Sequence, residues 1–225
     1  VLRRGTIRLR WLLPQGADAA TMACWHALLE PAEQARAARF HREADRHAYI
    51  AAHALTRRML SEAGGLAPTD WRFIEGAAGK PELAPTHGLP RLRFNLSHTR
   101  NLVACAVTCT DDVGLDVEDL ERREAAEGIA ERFFAPSEAA FIAALPREQR
   151  HEAFLRIWTL KEAFVKATGE GIAMGLDSFG FTLGRAPALA FAPESAGPVP
   201  AWRFLQLQPT PATILAVALR RAQAG

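Results

Sequence analysis

An α+β fold is the expectation for this chain, and three patterns lead to it. Segments of strand-like alternation are interleaved with segments of helical periodicity, so the two element types are not segregated into separate blocks. Helices and a few strands recur in each half, which predicts two similar lobes, residues 1–110 and 111–225. No repeat of fixed period and no low-complexity tract breaks the pattern.

The elements follow in order. Ile7, Leu9, Trp11 and Leu13 alternate with Arg8 and Arg10, a half-buried strand that ends at Pro14. A helix is expected from Asp18 to Leu29. A second helical region runs from Glu33 to Ala63, broken near His41–Asp45 and closed by Gly64-Gly65. Trp71 to Ile74 reads as a short strand, and the stretch from Gly76 to Pro90 is turn-rich. Leu92 to His98, Leu102 to Val107 and Val113 to Glu118 read as strands, with Asp111-Asp112 marking a turn. Ala135-Pro136-Ser137-Glu138 opens a helix, and a longer one spans about Glu148 to Thr168, stopped by Gly169. Ala186 to Pro200 is proline-rich and expected to be a loop. Trp202 to Leu205 and Ile214 to Leu219 close the chain as strands.

Composition narrows the function classes. The chain has 225 residues, 49% hydrophobic and 23% charged, which suits a globular protein with a sizeable core. Lys and Arg number 27 against 25 Asp and Glu, a net charge of +2, too even for a dedicated nucleic-acid binder. Cys24, Cys105 and Cys109 form no disulfide framework and no Cys-x-x-Cys zinc motif. No apolar run approaches the roughly 18–20 residues of a membrane span. No long apolar stretch follows Val1-Leu2-Arg3-Arg4, so no signal peptide is expected, and a cytoplasmic location is.

Two clusters carry chemistry. Asp116 and Glu118 lie two apart in an apolar strand, so both carboxylates share one face. Side by side they repel and call for a cation; an oxygen-ligated Mg²⁺ and a solvated acidic strand end both satisfy the pattern. In the long helix, Ala153, Ile157, Leu160, Phe164 and Ala167 form a buried stripe, while Thr159, Glu162 and Lys166 share another face. Glu162 and Lys166 are one turn apart, either a surface ion pair or a third metal carboxylate beside a phosphate-binding lysine. Taken with Asp116 and Glu118 they make a site for Mg²⁺-dependent phosphate chemistry. Ser97 and His98 place a hydroxyl and an imidazole at a strand end. Arg36, Arg39, Arg42 and Arg46 would form a basic stripe on a continuous helix. Gly79-Lys80-Pro81 is a rigid turn with one cation, not a Walker loop.

Together the segments Gly79-Lys80-Pro81, Phe94 to His98, Val113 to Glu118, Arg132-Phe133-Phe134 and Trp158 to Lys166 resemble the 4'-phosphopantetheinyl transferase family, of the type that activates peptide and polyketide synthases. Each motif alone is unspecific; five in the family's order are specific. The resemblance implies two similar lobes related by a pseudo-twofold, each with a small, mainly antiparallel sheet and packed helices, with coenzyme A in the cleft between them. It implies transfer of 4'-phosphopantetheine from coenzyme A to a serine of an apo-carrier protein, acyl, peptidyl or aryl, with release of adenosine 3',5'-bisphosphate. Asp116, Glu118 and Glu162 would hold Mg²⁺, with Mn²⁺ as a substitute. Glu162 would serve as the base for the serine, and Lys166 would neutralise phosphate charge. Lys161 would lie near the same site. Ser97 and His98 would contact phosphate, with His98 and Arg36 near the 3'-phosphate, and Gly79 and Lys80 would line the adenine side. Members of this type usually act as monomers, so the resemblance implies a monomer that engages neither nucleic acid nor membrane.

Three positions depart from the family pattern. Glu33 stands ahead of Arg36 where basic residues are common, and Ala77-Ala78 before Gly79 bring no cation. Leu120, Arg122, Arg123, Ile129, Arg132 and Phe133 offer apolar and basic groups that could dock an acidic carrier; an ordinary helix packing Ile129 and Phe133 into the core fits the same residues. The competing functions are a Mg²⁺-dependent nuclease, which the near-neutral charge disfavours, and a coenzyme-A- or carrier-binding module without catalysis, which the intact Glu162/Lys166 pair disfavours.

Overall fold

The computed structural model describes residues 2–3, 5–76, 79–85, 91–121, 128–184 and 186–222. Residues 1–113 and 114–225 form two compact units. Each is built from a long helix laid on a three-stranded sheet.

In the first unit, β1 (Ile7–Leu12) and β4 (Leu92–His98) flank β5 (Val103–Cys109), with every pairing antiparallel. The register sets Phe94 against Val107 and Ser97 against Ala104. Helix α3 (Glu43–Gly64) covers this sheet. Its Ala48, Ala51, Ala52, Leu55 and Met59 pack with Phe94, Val103, Cys105 and Val107, the small alanines letting helix and sheet approach closely. Gly65 ends the helix in the left-handed conformation at φ +84°. Asp18 caps α1 (Ala19–His26) by accepting from the Thr21 amide at 2.7 Å. Pro31 starts the short α2 (Pro31–Ala37).

The second unit repeats the scheme. Its sheet has β10 (Thr213–Arg220) between β6 (Asp112–Asp119) and β9 (Trp202–Thr210). Helix α6 (Arg147–Thr168) buries Leu160, Phe164 and Ala167 against Phe179, Trp202, Ala216 and Ala218. Both α3 and α6 have 22 residues, and α6 also stops at a left-handed glycine, Gly169 at φ +78°. Two shorter helices, α4 (Ile129–Phe133) and α5 (Pro136–Ala144), cover the first turns of α6 through Phe134, Ile142 and Phe154.

Several expectations change. The arginine stripe does not exist, because α2 ends at Ala37 and α3 begins at Glu43, leaving Arg39 and the extended Arg42 (φ −95°, ψ 130°) between the two helices. Pro81–Leu83 forms a strand, β3, paired with β2 (Phe73–Glu75), inside the stretch read as turns. Ala188–Phe191 forms β8, paired with β7 (Gly180–Thr182), inside the stretch read as loop; burial of Leu189 in the α6 core draws it in. Ala77 and Ala78 lie outside the described residues. Among the described residues, no helix is long and apolar enough to cross a membrane.

Candidate active site

The site grows from one close approach. A Cβ on Gly114 of β6 would collide with the Ala163 carbonyl oxygen of α6 and stand 2.5 Å from the Ala167 amide nitrogen. Only glycine lets the strand backbone rest on the helix backbone here. Asp116 follows two residues along the strand, on the same side as Gly114, while Glu162 and Lys166 each precede one of the contacted alanines. The acidic strand and the Glu-Lys helix face therefore meet.

Lys166 Nζ lies 2.7 Å from Asp116 Oδ1, with Asp116 buried and the lysine side chain 31% exposed. Burial works against the ammonium, but the charge and hydrogen bond of Asp116, helped by Glu162 and Glu118, outweigh it and raise the Lys166 pKa. Glu162 moves the opposite way from a salt-bridged carboxylate. Burial first, and then the Asp116 charge, raise its pKa against the partial counter-effect of Lys166. Glu118 accepts a hydrogen bond from Trp158 Nε1 at 3.1 Å.

Donor chemistry here suits a hard divalent cation. Three carboxylates offer oxygen ligands of the kind such a cation takes. Among the described residues, however, no three His, Cys, Asp or Glu side chains stand close enough together to hold a metal. Asp116 is engaged by Lys166, and Glu118 by Trp158.

The nucleotide candidates all belong to the first unit. Ser97 is buried near the end of β4 and His98 is exposed beside it. Asp45 of α3 has its pKa lowered first by a hydrogen bond from Arg100 and further by the charges of Arg42 and His98, so these cations share one neighbourhood. Arg36 is exposed on α2, its guanidinium 5.8 Å from the Tyr49 ring centre. Gly79 turns the β2–β3 hairpin at φ +75°, and Lys80 Nζ donates to the Val113 carbonyl at 3.1 Å. Lys80, Trp71, Arg91 and Phe94 line a cleft of about 340 Å³.

Residues 112–218 match the family model described as the 4'-phosphopantetheinyl transferase superfamily, and residues 17–110 match the model of the 4'-phosphopantetheinyl transferase N-terminal region. The 4'-phosphopantetheinyl transferase HetI of a Nostoc species is 35% identical over 209 residues, covering 93% of this chain and 86% of the relative. The chain belongs to the 4'-phosphopantetheinyl transferase family. The family's Sfp of Bacillus subtilis is 30% identical over 157 residues, 70% of this chain and 67% of that one. A solved Thermotoga maritima holo-[acyl-carrier-protein] synthase aligns with 51% of this chain and 65% of its own at a TM-score of 0.42 and 25% identity, too partial a likeness to add weight.

Within this transferase, one expected site residue goes elsewhere. Lys161 is fully buried, 2.7 Å from Glu138 Oε2 and donating to the carbonyls of Leu176 and Phe179 at 2.6 and 2.8 Å. Its ammonium also lies 4.3 Å from the centre of the Phe179 ring. Being adjacent to Glu162, it projects about 100° away around the helix and is satisfied within the unit's core, so it is a structural lysine. Thr159, expected on the Glu162 face, is likewise buried and donates back to the Leu155 carbonyl at 2.9 Å.

Gly114, Trp158 and Glu138 are the residues whose roles the sequence reading missed. The apolar Val113-Gly-Leu115 run marked Gly114, and Trp158 lay four residues before Glu162, but neither neighbour across the fold was visible. Of the suggested carrier-docking group, Leu120 and Ile129 pack against the α4–α5–α6 core. Phe133 is 46% exposed, with Arg132 stacked 5.2 Å from its ring centre. Arg122 and Arg123 lie outside the described residues.

Proposed function

We propose that this protein transfers the 4'-phosphopantetheine group of coenzyme A to a serine of an apo-carrier protein, and that the Asp116–Glu118–Glu162–Lys166 cluster is where it does so. The observation that carries the reading is the meeting of Glu162 and Lys166 with Asp116 at the Gly114 contact, in a chain of this family.

In the reaction, the serine oxygen forms a bond to the phosphorus on the pantetheine side of the pyrophosphate. The bond from that phosphorus to the bridging oxygen breaks, and adenosine 3',5'-bisphosphate departs with the electron pair. A serine hydroxyl is a poor nucleophile at neutral pH and needs a base. Glu162 takes its proton, and burial and the Asp116 charge, which raise its pKa, make it a stronger base. Lys166 stays cationic next to Asp116 and neutralises charge building on the departing oxygen. Asp116, Glu118 and Glu162 are the proposed Mg²⁺ ligands. When bound, the cation would supply charge neutralisation at the pyrophosphate. Arg36, Gly79, Lys80, Ser97 and His98 are the proposed contacts of the nucleotide half. The protein acts as a soluble cytoplasmic monomer in this reading.

The test is the intact mass of several apo-carrier proteins incubated with this protein, coenzyme A and Mg²⁺. A gain of one phosphopantetheine, lost with EDTA and in the carrier's Ser→Ala variant, is the expected result. No gain on any carrier while coenzyme A still binds would replace it with a binding module.

A further inference from the structure

Glu33 departs from the family pattern, and the structure gives it a task. It is buried on α2, three residues from the exposed Arg36. One carboxylate oxygen accepts from Arg57 Nε and Nη2 at 3.0 and 2.7 Å and from the Glu30 amide at 2.9 Å. The other lies 2.7 Å from His53 Nδ1. Arg57 is itself fully buried and donates to the carbonyls of Pro68 and Trp71 at 3.1 and 3.0 Å, with its guanidinium 4.9 Å from the Phe73 ring centre.

From His53 the contacts continue outward. Its ring lies 4.1 Å from that of Tyr49, and Tyr49 is the ring over which the Arg36 guanidinium sits. The route from buried Arg57 to exposed Arg36 is thus unbroken: Arg57, Glu33, His53, Tyr49, Arg36. Arg36 is also tied to Glu33 directly, through less than one turn of α2. The guanidinium of this exposed arginine rests over a buried ring, which limits the side-chain entropy lost when it grips an anion.

We infer that Glu33 is a positioning residue. Through His53 and Tyr49 on one side and through α2 on the other, it presets Arg36 for the 3'-phosphate of coenzyme A. The inference rests on the proposed function, because that reading supplies the anion. Glu33 touches no substrate. Its effect is to make the protein discriminate between coenzyme A and 3'-dephospho-coenzyme A.

The test is calorimetric binding of both nucleotides to the full chain without carrier, with folding followed by circular dichroism. Wild type, Arg36→Ala, Glu33→Gln and Tyr49→Leu are compared. The ratio of the two dissociation constants should fall roughly five- to tenfold in Glu33→Gln and Tyr49→Leu, toward the Arg36→Ala ratio. Dephospho-coenzyme A should bind all folded variants within about twofold of wild type. Tyr49→Leu leaves the Glu33–Arg57 ion pair untouched, so it reports even where Glu33→Gln fails to fold. An unchanged ratio, or equal loss of both ligands, overturns the inference and leaves a structural salt bridge. Wild type that binds neither nucleotide instead overturns the proposed function, and this inference with it.

Discussion

Gly114 of β6 and Ala163 of α6 meet backbone to backbone, and the candidate active site is arranged around that contact. The glycine has no positive φ, so its role here is space and not an unusual backbone conformation. Glu162, whose burial and charge are set beside Ala163, depends on a residue that carries no functional group. Gly114→Ala should therefore lower stability by about 2 kcal/mol or more, through overpacking against backbone that cannot yield, and abolish transfer. Gly16→Ala, where nothing lies within 4 Å, should change stability by no more than about 0.5 kcal/mol. Urea unfolding of the two variants decides this.

Trp158→Phe removes the indole donor to Glu118 but keeps a ring stacked near Phe134 and Phe154. The Mg²⁺ concentration for half-maximal transfer should rise about tenfold, as expected when a ligand loses the group that orients it. An Mg²⁺ titration with the mass assay checks it; an unchanged midpoint would remove Glu118 from the proposed ligand set.

Glu162→Gln should separate activity from stability. Transfer should fall by roughly 10²–10⁴ if Glu162 is the base. Because burial and the Asp116 charge raise its pKa in the folded state, ionised Glu162 costs stability as pH rises through that pKa. Without metal at neutral pH, Glu162→Gln should be more stable than wild type, and the gain should vanish in acid. Thermal unfolding in EDTA at several pH values measures both halves.

Lys161 and Lys166, five residues apart on α6, should fail in opposite ways. Lys161→Met strands the buried Glu138 charge and two carbonyls, at a cost of about 3–5 kcal/mol. Lys166→Met, with a partly exposed side chain, should leave the fold largely intact and remove transfer. Denaturation curves and the mass assay on both variants distinguish them.

Glu33 should contribute stability that is lost in acid. Burial would raise its pKa, but the hydrogen bond and charge of His53, the Glu30 amide and the Arg57 charge together lower it. A lowered carboxylate pKa stabilises above the ordinary value of 4.5, and the contribution fades as pH falls through the folded value. Wild type should exceed Glu33→Gln by about 1.5–3 kcal/mol at neutral pH, with the gap closing below pH 4.5. Urea unfolding of both proteins across this range checks the sign.

Much of this protein was legible from residue order alone. Period-two spacing placed Asp116 and Glu118 together, and the Ala153–Ala167 stripe marked the face that α6 buries, because both follow from the repeat of a single element. The two helix stops at Gly65 and Gly169 and the cap at Asp18 are local chemistry as well. Periodicity tells which side chains share a face; it does not tell what another element brings to that face. Lys161 and Lys166 were both expected near the site, but Glu138, from a different helix, claims the first and Asp116, from a strand, the second. The arginine stripe failed because the chain leaves the helix after Ala37 and re-enters it only at Glu43, which breaks the helical phase. Residue order shows Glu33 only as a charge ahead of Arg36; that Arg57 and His53 close around it is decided by the packing of another helix. Gly114 depended on the tertiary structure most of all: a missing side chain leaves no mark in the sequence beyond a letter, and only the approach of a second backbone shows what its absence is for.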